Sequence, residues 1–238
     1  SSNWKEGYGY TVATEMYSAG IDRLTHQPLS FSVSETTEGV HIHIIDAELM
    51  GKGEKEKKDL YIEGVQNNGI INHYEYIINS EGTIEIRHVL KPEGKMPLWF
   101  PRIGLTLTVS DALDQVKWYG RGPQENYPDR KTGYPMGIYA STVQAMYEPY
   151  LMPQDYGLRT DVRWLQLTTD KGIGLQFKMN EWFNFNIYPY STDNLTKAMY
   201  TYQLQKQKGM TLNLDYATTG VGCPARGVFG AYKAMPQE

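Results

Sequence analysis

Apolar and polar residues alternate over short stretches of this chain, and Gly, Pro, Asp or Asn interrupts the alternation at close intervals. Val40, Ile42 and Ile44 alternate with His41, His43 and Ile45, a period of two that predicts a half-buried strand over residues 40–49. Residues 74–78 and 83–89 read as a hairpin turned by Ser80-Glu81-Gly82. Further short strands are predicted over 102–109, 115–119, 164–168, 172–179, 183–188 and 210–215, and such spacing points to a sandwich or barrel. One helix is predicted, over 193–205, capped by Thr192 or Asp193 and carrying Leu195, Ala198, Met199 and Tyr202 on one face. The run 51–59 holds Lys52, Glu54, Lys55, Glu56, Lys57 and Lys58 with nothing apolar between, which predicts a solvated loop. Residues 123–153 are rich in Pro, Gly and Tyr with weak periodicity and predict long connections of the kind that carry function.

A length of 238 residues suits one large all-β domain, and a single domain over 1–238 is expected, with no internal repeat and no linker. The formal charge of −4 and the lack of a basic stripe argue against nucleic acid as a partner, and no apolar run reaches membrane-spanning length. A single cysteine, Cys223, excludes an internal disulfide framework and leaves the compartment open. The nineteen Tyr, six Phe and five Trp favour pleated strands and are also the side chains that stack on sugar rings.

Three constellations have chemical potential. Gly120-Arg121-Gly122-Pro123-Gln124-Glu125-Asn126-Tyr127-Pro128-Asp129-Arg130 offers Glu125 and Asp129 as acids. Each has an arginine nearby, however, and such pairing lowers a carboxyl pKa where a general acid needs it raised, so a salt-bridged corner is the simpler expectation. Residues 148–164 set Arg159 and Arg163 among Tyr150, Tyr156 and Trp164, suited to a sugar's hydroxyls and its C–H face or to pinning loops. His41 and His43 project from one face of a strand as a metal pair would, but no third ligand is evident, and solvent-facing histidines are expected. Cys223 has no assignable activating base and is expected to be a small structural residue.

The segment Trp118-Tyr119-Gly120-Arg121-Gly122-Pro123-Gln124-Glu125-Asn126-Tyr127-Pro128-Asp129-Arg130, followed by Pro149-Tyr150, Pro153-Gln154-Asp155-Tyr156-Gly157 and Arg163-Trp164, resembles the C-terminal domain of large bacterial β-galactosidases of glycoside hydrolase family 2. Pro101-Arg102-Ile103-Gly104, Ala19-Gly20-Ile21-Asp22-Arg23-Leu24, Leu214-Asp215-Tyr216 and Gly220-Val221-Gly222 extend the resemblance along nearly the whole chain. It implies a large twisted antiparallel sandwich of the kind shared with galactose mutarotases, lacking its first strands, and a catalytic barrel before it that carries both catalytic glutamates. Neither family glutamate motif occurs in this sequence. The family's late Gly-rich loop carries a substrate-stacking tryptophan where Gly227 falls here, so Arg226 or Phe229, beside Cys223, is the candidate substitute. Tyr200 stands where relatives often place histidine.

The expected function is an accessory domain that completes the galactoside cleft and interdomain contacts of a β-galactosidase and hydrolyses nothing alone. The resemblance implies a preceding barrel as partner and oligomers of the parent enzyme. It implies no cofactor in this domain, since the family's Mg and Na ions bind elsewhere. Candidate substrate-binding residues are Arg226, Phe229, Cys223, Glu125, Asp129, Arg130, Arg163 and Trp164. The rival expectations are an aldose 1-epimerase working by a histidine and a carboxylate, and a carbohydrate-binding module without catalysis.

Overall fold

The computed structural model describes residues 20–50, 68–94, 96 and 100–220, with only the backbone of Asp22. The charged run at 51–59 and the residues Cys223, Arg226 and Phe229 lie outside the described residues. The described chain is almost wholly β, with two antiparallel sheets, one short α-helix and no closed barrel, consistent with the all-β sandwich class expected. No described helix is long and apolar enough to cross a membrane. The described residues fall into two compact units, one from 20 to 96 and the other from 100 to 220.

The first unit is a four-stranded meander of β1 (Thr25–Thr36), β2 (Gly39–Leu49), β3 (Gly69–Ile78) and β4 (Ile84–Glu93), paired in that order. Strand β1 escaped the sequence reading although Phe31 and Val33 alternate with Ser30, Ser32 and Ser34; a register shift between Pro28 and Ser30 accommodates the proline. The β1–β2 turn requires Gly39, whose φ of 139° is closed to L side chains. The expected hairpin forms between β3 and β4, with Asn79 Oδ1 accepting from the amides of Glu81 and Thr83.

The second unit is a six-stranded sheet built from β5 (Arg102–Val109), β6 (Gln115–Arg121), β7 (Met136–Thr142), β8 (Arg159–Thr168), β9 (Gly174–Tyr188) and β10 (Met210–Thr218). Its order is β5-β10-β9-β8-β6-β7. One face is packed with Trp118, Leu165, Leu167, Phe185, Ile187 and Leu212, all buried. Each such side chain gives about 1.5–3 kcal/mol on leaving water, and this cluster is the main hydrophobic support of the unit. β10 is buried on both sides, because Thr211, Asn213 and Asp215 alternate with Met210, Leu212 and Leu214 and meet a polar network instead of solvent.

The structure departs from three expectations. The helix of 193–205 is α1 (Thr192–Lys197) followed by a separate 3-10 turn, Thr201–Gln203. Its cap is Ser191, whose Oγ accepts from the Asn194 amide, and of the expected apolar face only Leu195 and Ala198 are buried. Met199 and Tyr202 are exposed, because the chain leaves the helix at Ala198 with extended geometry. The predicted strands 172–179 and 183–188 are one strand, β9, running through the polar Asn180-Glu181. The region 123–153 is not connection throughout, since β7 lies within it and pairs with β6 from Gln115–Thr142 to Arg121–Met136.

Candidate functional site

The motif-rich corner after β6 is held by Glu125. This carboxylate is buried and accepts from Arg130 Nη2 at 2.7 Å, from the Gly157 amide at 2.9 Å, from Tyr127 Oη at 3.5 Å and from Tyr150 Oη. Four donors on one carboxylate satisfy its lone pairs and tie residues 125–130 to the 150–157 loop. Burial, then the hydrogen bond from its own hydroxyl to Glu125 and the nearby negative charge, push Tyr150 up to about 12. The guanidinium of Arg130 also lies over the Tyr127 ring, 5.6 Å from its centroid. Asp129 sits beside Gly220, whose Cα approaches so closely that a Cβ there would collide with the Asp129 carboxyl. The start of the late Gly-rich segment therefore packs on this corner.

A second polar cluster, missed from sequence, lies behind the corner. Arg102 contacts Asp155 at 3.3 Å and Asp215 at 3.0 Å; Asn186 donates to Asp155 at 2.9 Å, and Asn213 donates to Asn186 at 2.8 Å and to Tyr188 Oη at 3.0 Å. Asp215 makes its ion contact without a properly aligned hydrogen bond. Burial raises it to about 7, Arg102 partly opposing and Asp155 adding to the rise.

Among the described residues a cavity of about 460 Å³ opens where β8 and β9 part. Their pairing shifts register on both sides of Val162, and at the shift Asp161 takes a φ of 55°, in the left-handed region that non-glycine residues seldom occupy. The bulge turns Thr160 and Asp161 toward the cavity, opposite Asn180, Glu181 and Trp182 of β9 and beside Tyr216 of β10. Asp161 is clamped by Arg121 Nε at 2.5 Å and Lys131 Nζ at 2.8 Å. Burial alone would raise its carboxyl, but the hydrogen bonds and charges of Lys131 and Arg121 outweigh it and hold the group below the usual range. Arg163 lies 3.8 Å above the centre of the exposed Trp182 ring.

The candidates drawn from sequence are thus distributed unevenly. Glu125, Asp129 and Arg130 share the corner that leads to Pro128 and Lys131 on the cavity wall. Arg163 reaches the cavity's Trp182, whereas Trp164 stands opposite Tyr119 of β6, with the two rings 6.5 Å apart. Tyr200 is exposed and stacks on Tyr202 at 5.4 Å. Sequence reasoning missed Asp161, Lys131, Trp182 and Tyr216, which come together only through strand pairing and carry no local signal. In the other sheet His41 and His43 meet a third group, Glu75, across the strand pair. Burial also separates the pair, since the side chain of His43 is 50% exposed and that of His41 only 13%.

A family model described as β-galactosidase small chain matches residues 7–234. The β-galactosidase of Priestia megaterium is 38% identical over 62% of this chain and 14% of its own length. That of Vibrio cholerae is 31% identical over 87% of this chain and 18% of its own length, and that of Pseudoalteromonas haloplanktis 34% identical over 62% and 14%. This chain therefore spans less than a fifth of the curated relatives it matches. A match of that extent settles the family: the chain belongs to the β-galactosidase small-chain family.

Proposed function

We propose that this chain is an accessory domain of a larger β-galactosidase, and that it shapes the galactoside cleft and holds a neighbouring catalytic domain while supplying neither the acid nor the nucleophile. The observation that carries this is the cavity at the β8–β9 bulge, whose buried acid is already neutralised by two cations. Retaining glycoside hydrolysis needs two carboxyls about 5 Å apart, one with a raised pKa. Asp161, with its lowered pKa and double ion pair, suits neither role. Trp182 and Tyr216 offer aromatic faces, and Asn180 and Asn184 offer amides, the combination that sugar recognition uses.

Gly220 lies against Asp129, the neighbour of Pro128 on the cavity wall, and Arg226 and Phe229, a few residues further along the sequence, are the proposed substitutes for the family's stacking residue. The exposed apolar row Phe31, Val33 and Ile86 on the four-stranded sheet supports a contact role as well. The finer likeness to a galactose-mutarotase sandwich belongs to the same proposal. A mutarotase activity is less well supported, because residues 89–238 contain no histidine to work with a carboxylate. Calorimetric titration of the chain with galactose and lactose tests the proposal. Weak binding that Trp182→Ala and Phe229→Ala both reduce is expected; binding untouched by either substitution places the sugar elsewhere and contradicts it.

A further inference from the structure

We infer that His41, His43 and Glu75 form a binding site for a divalent transition ion of the Zn2+ type. His41 and His43 are two apart on β2, so both rings leave the same face of the sheet. Across the β2–β3 pair His43 stands directly opposite Glu75, and His41 stands opposite Ile77, which puts Glu75 one diagonal step from His41 on that face. One ligand atom from each of the three lies within 4.8 Å of the other two. Glu75 Oε1 is 3.8 Å from His41 Nδ1 and 3.9 Å from His43 Nε2.

Those separations are too long for hydrogen bonds and close to what an ion requires. Ligand atoms about 2.1 Å from a tetrahedral ion lie roughly 3.4 Å apart, so Glu75 closes on each ring by about half an ångström, and the two rings, whose ligand atoms lie within 4.8 Å, turn toward each other to complete the site. Its surroundings are arranged as an outer shell. Arg87 Nη1 donates to Glu75 Oε2 at 3.1 Å and Arg87 Nε to Glu85 Oε1 at 2.8 Å, which fixes the carboxylate with Oε1 turned to the rings. On the far side of the first ring, His41 Nε2 is buried without a hydrogen-bond partner and faces the Glu38 carboxylate at 3.9 Å. Rotation of Glu38 to accept from that nitrogen would fix the tautomer that leaves Nδ1 for the metal.

Two imidazoles and one carboxylate select borderline ions such as Zn2+ over Mg2+ or Ca2+, which take oxygen ligands. Glu38, Glu75 and Glu85 outnumber Arg87 in charge, which favours a dication. With His43 half exposed, a fourth position stays open to water. The ion would clip β2 to β3 and stabilise the sheet when bound.

The test is titration of the full chain, freed of metal, with ZnCl2 followed by calorimetry, with Co2+ absorption as a second readout and Cys223→Ser as background. One Zn2+ per chain is expected, with a visible Co2+ spectrum of low coordination number. His43→Gln and Glu75→Gln should each weaken binding about tenfold or more and abolish that spectrum. His43 is exposed enough for its substitution to leave the fold intact, which far-UV circular dichroism checks. No Zn2+ uptake by the parent chain, or uptake and spectrum unchanged in both variants, overturns the site.

Discussion

Two aspartates of the same sheet, Asp161 and Asp215, should respond to pH in opposite directions. Asp161 has a lowered carboxyl, so its contribution to stability is present at neutral pH and is lost as pH falls through its folded value. Asp215, raised to about 7, contributes in full below the unfolded carboxyl value near 4, and that contribution is lost as pH rises toward and through 7. Thermal melts from pH 5 to 8 should therefore show Asp215→Asn gaining on the parent chain as pH rises; parallel curves would mean that Arg102 keeps the carboxylate ionised throughout. Glu125 acts as a structural carboxylate because four donors converge on it. Glu125→Gln cannot satisfy all four donors and should cost about 2–4 kcal/mol in urea unfolding. A variant as stable as the parent would free Glu125 for another role. The arginine-rich neighbourhood of Glu125 made its pairing legible in the sequence. The clamp on Asp161 was not legible, because Arg121 and Lys131 are 40 and 30 residues away in the chain and meet it only through the sheet.

The element that makes the candidate site is the irregular pairing of β8 with β9. Strands that alternate cleanly, such as 40–49 and 102–109, were readable from sequence because one face is apolar. β9 was split in the reading at Asn180-Glu181, since a bulge turns those polar residues out to the cavity without ending the strand. β7 was hidden because its apolar Met136 and Ile138 are exposed while Gly137 and Tyr139 take the more buried side, so its apolar residues do not mark a buried face. The bulge depends on the core beneath it. Leu165→Ala, at a fully buried position of β8, should destabilise the chain by about 2–5 kcal/mol in denaturant unfolding. Gly120→Ala should cost about 1–3 kcal/mol, because its Cβ would press on Val162 Cγ2 at 2.8 Å and on the Val162 Cα at 3.0 Å. Little effect from Gly120→Ala would show that the bulge yields more easily than its packing implies.

At the scale of the molecule, the family, the all-β class and the two antiparallel sheets stand on the motif order and on the strands themselves. The proposed division of labour with a catalytic domain was legible only as an absence of glutamate motifs, and the geometry adds a physical reason: Asp161 at the cavity and Glu125 at the corner are committed to cations and hydroxyls. The most direct measurement is hydrolysis of a nitrophenyl β-galactoside by the purified chain, alone and after mixing with a family β-galactosidase truncated to remove the matching segment. No turnover by the chain alone and recovery of activity in the mixture is the predicted result. Turnover by the chain alone that survives repurification and disappears in Asp161→Asn would contradict it.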